Sequence, residues 1–198
     1  MAHQPFTRVS ASRVCRSWRI PAQELLLGFV DFHSSRRAQD YVDRKLWLSG
    51  GTARILGLSI GIDLRTGDFL KSIRALEVCF PNWAGLREIC IETGDAGGNP
   101  LLDTLLAHTA LLEVFTYRYE PEYQKTGVEL GSVSPGIFTS LSKLAHLEHL
   151  LLESVDLVAG CDVPVDAKTV FRLKSLVLVN ARISDAATEV LVPAETFR

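Results

Sequence analysis

The sequence predicts an α/β protein built as a stack of strand–helix units, a curved solenoid with one parallel sheet inside and helices outside. Three observations predict it. A triplet of apolar residues spaced i, i+3, i+5 recurs six times. The copies begin 26, 33, 26, 35 and 26 residues apart, so three of the intervals are equal. Segments with helical spacing of apolar residues fill most of the intervals. A recurring apolar signature marks units that cannot bury their faces alone and must stack.

The first copy is Leu27-x-x-Val30-x-Phe32, and residues 34–47 after it carry Ala38, Tyr41, Val42 and Leu46 on one helical face. Ala53-x-x-Leu56-x-Leu58 is the second. It precedes residues 68–80, with Phe69, Ile73, Leu76 and Phe80 at helical spacing. Leu86-x-x-Ile89-x-Ile91 is the third and runs into the turn-rich residues 94–99. Pro100 then suits the first turn of a helix over 101–110, where its missing N–H has no intrahelical partner to lose. The fourth copy is Leu112-x-x-Phe115-x-Tyr117. Beyond it Pro135 opens a helix over 136–145 with Ile137, Phe138, Leu141 and Leu144 as its stripe. Leu147-x-x-Leu150-x-Leu152 follows, and residues 161–171 after it start poorly as a helix because Pro164 lies among them. Leu173-x-x-Leu176-x-Leu178 is the sixth, with Ser184 placed to cap a helix over 185–192.

Strand side chains alternate, so the first residue of each triplet belongs to the incoming turn while the fourth and sixth point inward. Successive strands pair in parallel, which needs a crossover of about a dozen residues or more. The third, fifth and seventh places then face away from the helices, on the concave side. They include Asp31, His33, Glu88, Glu92, Arg118, His149 and Glu153, interleaved with Phe29, Cys90, Val114, Thr116, Leu151, Val177 and Val179. Charged groups beside apolar ones suit protein recognition, with apolar anchors and a polar rim. A second candidate is the long connection over residues 118–134, where Tyr119 and Tyr123 offer aromatic anchors.

Composition limits the function classes. With 47% hydrophobic and 22% charged residues the chain has ample material for a core. A net charge of −2 gives no electrostatic case for nucleic acid or an anionic membrane. No run of about 18 apolar residues predicts a membrane span. Cys15, Cys79, Cys90 and Cys161 lie far apart with no C-x-x-C, which predicts free thiols in a reducing compartment, cytoplasmic or nuclear. The Arg- and Ser-rich first twenty residues, without an acidic side chain, also fit a mitochondrial presequence. His146-x-x-His149 lacks the order of a zinc-protease motif, and the glycine-rich residues 94–98 lack the Lys-Ser/Thr of a phosphate loop. No G-x-S-x-G is present. The expectation is a non-catalytic chain with no cofactor and no metal.

Read together, the repeats resemble leucine-rich repeats of the long, irregular, ribonuclease-inhibitor-like kind. The stretch Val14-Cys15-Arg16-Ser17-Trp18 within residues 12–19, followed by Ala22-Gln23-Glu24-Leu25, resembles the last helix of an F-box domain as found in fungal F-box-like proteins. The resemblance implies a partial F-box-like segment over residues 1–24, in which Val14, Cys15 and Trp18 are the helix residues. It implies a leucine-rich-repeat solenoid over 25–198, incomplete at its C-terminus. The implied role is the substrate-binding part of a ubiquitin-ligase receptor with a protein partner on the concave face. Contact with a Skp-family adaptor is in doubt, because no Leu-Pro motif precedes Ser10. The alternative is a stand-alone repeat scaffold unrelated to ubiquitination.

Overall fold

The computed structural model describes residues 28–44, 57–60, 69–93, 100–120, 130–132, 137–157 and 173–184, together with Thr188 and Leu191. The F-box-like residues Val14, Cys15 and Trp18, together with Tyr123 and the segments 94–98 and 161–171, lie outside them.

In chain order the elements are β1 (Phe29–Phe32), α1 (Ser35–Asp43), β2 (Gly57–Ile60) and α2 (Phe69–Leu76). A 3-10 helix (Glu77–Trp83) continues α2, and β3 (Glu88–Thr93), α3 (Pro100–Ala107) and β4 (Val114–Tyr119) follow. The last are β5 (Gly131–Ser132), α4 (Ile137–Ser142), β6 (His149–Glu153), β7 (Val155–Asp156) and β8 (Ser175–Val179).

Six strands form one open sheet in the order β1-β2-β3-β4-β6-β8, and every neighbouring pair is parallel. Spatial order thus follows chain order, the simplest solution when each strand is joined to the next by a crossover. One register runs across the sheet. Val30, Leu58, Ile89, Phe115, Leu150 and Leu176 form a single row. Phe32, Ile60, Ile91, Tyr117, Leu152 and Leu178 form the row two residues on.

The register corrects the second triplet. Leu58 pairs with Val30 and Ile89, so it holds the fourth place of its unit and not the sixth, and Ile60 holds the sixth. A slip of two residues keeps every side chain on its own face, so the assigned faces survive the correction.

The incoming turns repeat as well. The N–H of Leu86, Leu112 and Leu147 donates to the carbonyl three residues earlier, on Trp83, Thr109 and Leu144, at 2.9, 3.0 and 3.1 Å. All three leucines are buried. Thr109 is buried too, and its hydroxyl donates to the Leu106 carbonyl at 3.0 Å, which keeps this turn free of an unsatisfied polar group.

Each of the four α-helices given above is shorter than the apolar pattern read for it. Ser34 caps α1 with its hydroxyl accepting from the Arg37 N–H at 3.4 Å. The stripe read over 68–80 is α-helical only to Leu76. Pro81 has no N–H and disfavours α geometry in the residue before it, and the chain tightens to 3-10 through Trp83. Ile73, Leu76, Phe80 and Trp83 are nevertheless all buried. At the last helix, the Thr188 N–H donates to the Ser184 carbonyl at 3.0 Å, as expected of a helix start at Ser184.

The core joins one face of the sheet to the helices. Phe32, Leu58, Ile89, Ile91, Phe115, Tyr117, Leu150 and Leu152 form one buried cluster with Ala38, Ile73, Leu105, Phe138 and Leu141 from the helices. Ser140 Oγ donates to Asp103 Oδ1 at 2.9 Å and ties α4 to α3.

Two short strands escaped the sequence pattern. β5 and β7 pair in parallel, Gly131 with Val155 and Ser132 with Asp156. Asp156 also bridges Arg182. The chain reaches this second ladder by a left-handed step after β6 and again after β8, at Ser154 (φ 57°) and Asn180 (φ 50°). These residues follow Glu153 and Val179, which are themselves paired.

Candidate functional site

The candidate site is the sheet face turned away from the helices. None of its side chains belongs to the buried cluster. In β3 and β4 burial alternates strictly, so Glu88, Cys90, Glu92, Val114, Thr116 and Arg118 share the half-exposed face. Parallel register arranges the face in three rows. The first is Phe29, Gly57, Glu88, Val114, His149 and Ser175. The second is Asp31, Ser59, Cys90, Thr116, Leu151 and Val177. The third contains Glu92, Arg118, Glu153 and Val179. Sequence spacing thus brought Asp31, Glu88, Glu92, Arg118, His149 and Glu153 to one surface. His33 joins them from just beyond β1, its Nε2 lying 2.8 Å from Asp31 Oδ2.

Charge in the third row is organised around Arg118. Its Nη1 donates to Glu92 Oε1 at 2.9 Å, and its Nε lies 3.1 Å from Glu153 Oε2. Burial opposes the charged guanidinium, but the bond to Glu92 and the fields of Glu92 and Glu153 hold it protonated more firmly than usual. Glu88 has no ion-pair partner among the described residues. Among the described residues the face carries four carboxylates (Asp31, Glu88, Glu92 and Glu153) against this one guanidinium.

Cys90 sits at the centre of the acidic part. Burial pushes its thiol up to about 11; Glu92, Glu88 and Asp31 add to the rise and Arg118 opposes it. A thiol held protonated is a poor nucleophile and a poor metal ligand, so Cys90 is a small half-buried packing group.

The face is not uniform from edge to edge. The ring of Phe29 lies over Gly57 at one end, where a β-carbon on the glycine would meet Phe29 Cδ1 at 2.3 Å. The middle is polar. Toward the other edge the second and third rows end on apolar residues, with Leu151 half-buried and Val177 and Val179 exposed at 40% and 37%, while the first row ends on His149 and Ser175.

A further charged row lies just before the strands. Arg87, Glu113, Glu148 and Lys174 are linked in sequence through the backbone, the N–H of Glu113, Glu148 and Lys174 each donating to the carbonyl of the residue before it in the row. Arg87 pairs with Glu113, and Lys174 with Glu148 at 2.7 Å. The Lys174 hydrogen bond lowers the Glu148 carboxyl below its ordinary range.

The loop candidate is corrected. Tyr119 is the last residue of β4, pairs with Thr93, and is only 4% exposed. Its ring packs against Gly131 of β5, so it is a core residue and no surface anchor. The alternation in Phe115, Tyr117 and Tyr119 was a signal for this, because it continues the inward parity of the strand. His146 and His149 are both exposed at the start of β6. Among the described residues no group of three or more His, Cys, Asp or Glu side chains is placed to hold a metal, and no helix is long and apolar enough to cross a membrane.

Compared with protein-family models, curated proteins and solved structures, the chain matches none.

Proposed function

We propose that the chain is a non-catalytic protein-recognition module that receives its partner on the face of the sheet opposite the helices. The observation that supports this is the in-register array of six parallel strands, with one face committed to the core and the other left half-exposed. Its mixture of apolar and charged groups is that of a contact surface with anchors and rim. Repetition of the same incoming turn and the same register supports reading the fold as a right-handed βα solenoid of the leucine-rich-repeat kind. With the resemblance of residues 12–19 to a last F-box helix, the reading is that of the substrate-binding part of a ubiquitin-ligase receptor.

Photo-crosslinking tests the reading. A crosslinkable side chain placed at Thr116, central on the open face, is expected to capture the partner, whereas one placed at exposed Arg74 on α2 is not. Capture from Arg74 alone, or equally from both, would sink the proposal. Absence of ubiquitin transfer to the captured partner in cells would leave recognition without the ligase role.

A further inference from the structure

The open face is polarised along its middle row. In the second row the residues change from a carboxylate (Asp31) through small polar groups (Ser59, Cys90, Thr116) to apolar ones (Leu151, Val177). The flanking rows follow it only in part: the first opens on Phe29 and ends on His149 and Ser175, and Glu153 of the third row, paired with Arg118, lies on β6. Glu88 and Glu92 belong to β3, whereas the last residue of the third row is Val179.

We infer that the partner segment is an extended peptide lying across the strands, with a basic end over β1–β3 and an apolar end over β6–β8. This rests on the recognition reading and names the chemistry of what is recognised. Charge complementarity carries the basic end. Arg118 is already engaged by Glu92 and Glu153, so among the described residues Glu88 is left without an ion-pair partner and Asp31 with only the His33 imidazole. A Lys or Arg brought to Glu88 gains attraction without displacing an existing ion pair. The exposed Val177 and Val179 carry the apolar end, since covering them removes apolar surface from water. Strand spacing sets the length. Five steps from β1 to β8 at about 4.8 Å span about 24 Å, which an extended chain covers in about seven residues. An acidic segment would be repelled at one end, and a wholly apolar one would leave Glu88 desolvated and unpaired.

The test is selection of random peptides of about eight residues on the full chain, with the winning peptide made synthetically. Lys or Arg at one end and Leu, Ile, Val or Phe at the other is the expected enrichment. Glu88→Gln and Val177→Ser should each weaken that peptide by about threefold, consistent with exposed contacts. Val78→Ser, on the exposed part of the 3-10 helix, should leave it unchanged. Both face variants alter exposed or half-exposed side chains with no ion pair among the described residues, and unchanged circular dichroism would verify their folding. Peptides that crosslink to position 116 but are acidic, or bind both face variants as well as the parent, overturn this inference and leave the recognition reading standing. Peptides that bind without crosslinking there overturn both.

Discussion

The ring of Tyr119 occupies the space in which a side chain on Gly131 would begin: a β-carbon there would lie 2.3 Å from Tyr119 Cγ and 2.8 Å from its Cβ. Phe29 stands in the same relation to Gly57, again at 2.3 Å. The two pairs should nonetheless respond differently. Tyr119 is buried, and the conflict includes its β-carbon, which moves only with the backbone. Phe29 is 37% exposed, and only its ring is in the way. Gly131→Ala is expected to cost about 1–3 kcal/mol, the ordinary range for overpacking, and Gly57→Ala less than about 1 kcal/mol. Urea denaturation of both variants measures the difference, and equal losses would contradict it.

Row position should set the cost of truncating the repeated leucines. Leu150 is buried between Phe115 and Leu176 in the first inward row, whereas Leu178 in the edge strand β8 is 36% exposed. Leu150→Ala is expected to cost about 2–5 kcal/mol and Leu178→Ala about 1 kcal/mol. Thermal melts of the two variants provide the comparison, with Leu178→Ala giving the smaller shift.

That difference bears on what the sequence revealed. The apolar spacing identified the parallel strands and the inward side chains, because burial on one face imposes a period of two. It misplaced the second unit because Ala53, Ile55, Leu56, Leu58 and Ile60 satisfy the triplet in two overlapping ways. Only pairing to Val30 and Ile89 chooses between them. β5 and β7 were invisible, since a strand of two residues has no periodicity to read. Tyr119 was misjudged by counting it with the connection, although the parity of Phe115 and Tyr117 already pointed it inward. On the open face, the charged residues were legible individually. Their arrangement in rows was not, because rows exist only once strands are in register.

Alkaline pH should unfold the protein early. Cys79 and Cys90 are pushed up to about 11, and Tyr41 to about 12, in each case first by burial. The folded state therefore keeps protons that the unfolded chain releases. Stability contributed by these groups is complete below pH 9, where the unfolded thiols begin to ionise, and is lost as pH rises through 11 for the thiols and 12 for Tyr41. Melting temperature measured from pH 8 to 11 should fall continuously above 9. A flat profile would contradict the protonated thiols.

Thiol chemistry checks Cys90 by a separate route. Iodoacetamide should label it slowly at neutral pH and faster as pH approaches 11. Glu88→Gln removes one of the charges that oppose the thiolate, so its labelling profile should move to lower pH. An unshifted profile, read by mass spectrometry at Cys90, would mean that Glu88 does not influence the thiol.

Arg118→Ala should cost about 1 kcal/mol, because the guanidinium is partly exposed and engages two carboxylates. The loss should shrink in high salt, where exposed charges are screened. Paired denaturation curves at low and high ionic strength make the comparison, and a salt-independent loss would point to packing of the Arg118 stem instead.

The charged row before the strands has a consequence for modularity. It consists of two self-neutral couples, Arg87 with Glu113 and Glu148 with Lys174, and like charges meet only where Glu113 neighbours Glu148. That junction falls between β4 and β6, on either side of the longest interval in the repeat series. It is the one seam in this row at which an additional unit can be spliced without orphaning a charge. An insertion between β3 and β4, or between β6 and β8, divorces a couple. Chimaeras with an extra unit at each place, made in an Arg118→Ala background so that its pairs with Glu92 and Glu153 do not enter, should rank accordingly in melting temperature, with the β4–β6 insertion highest.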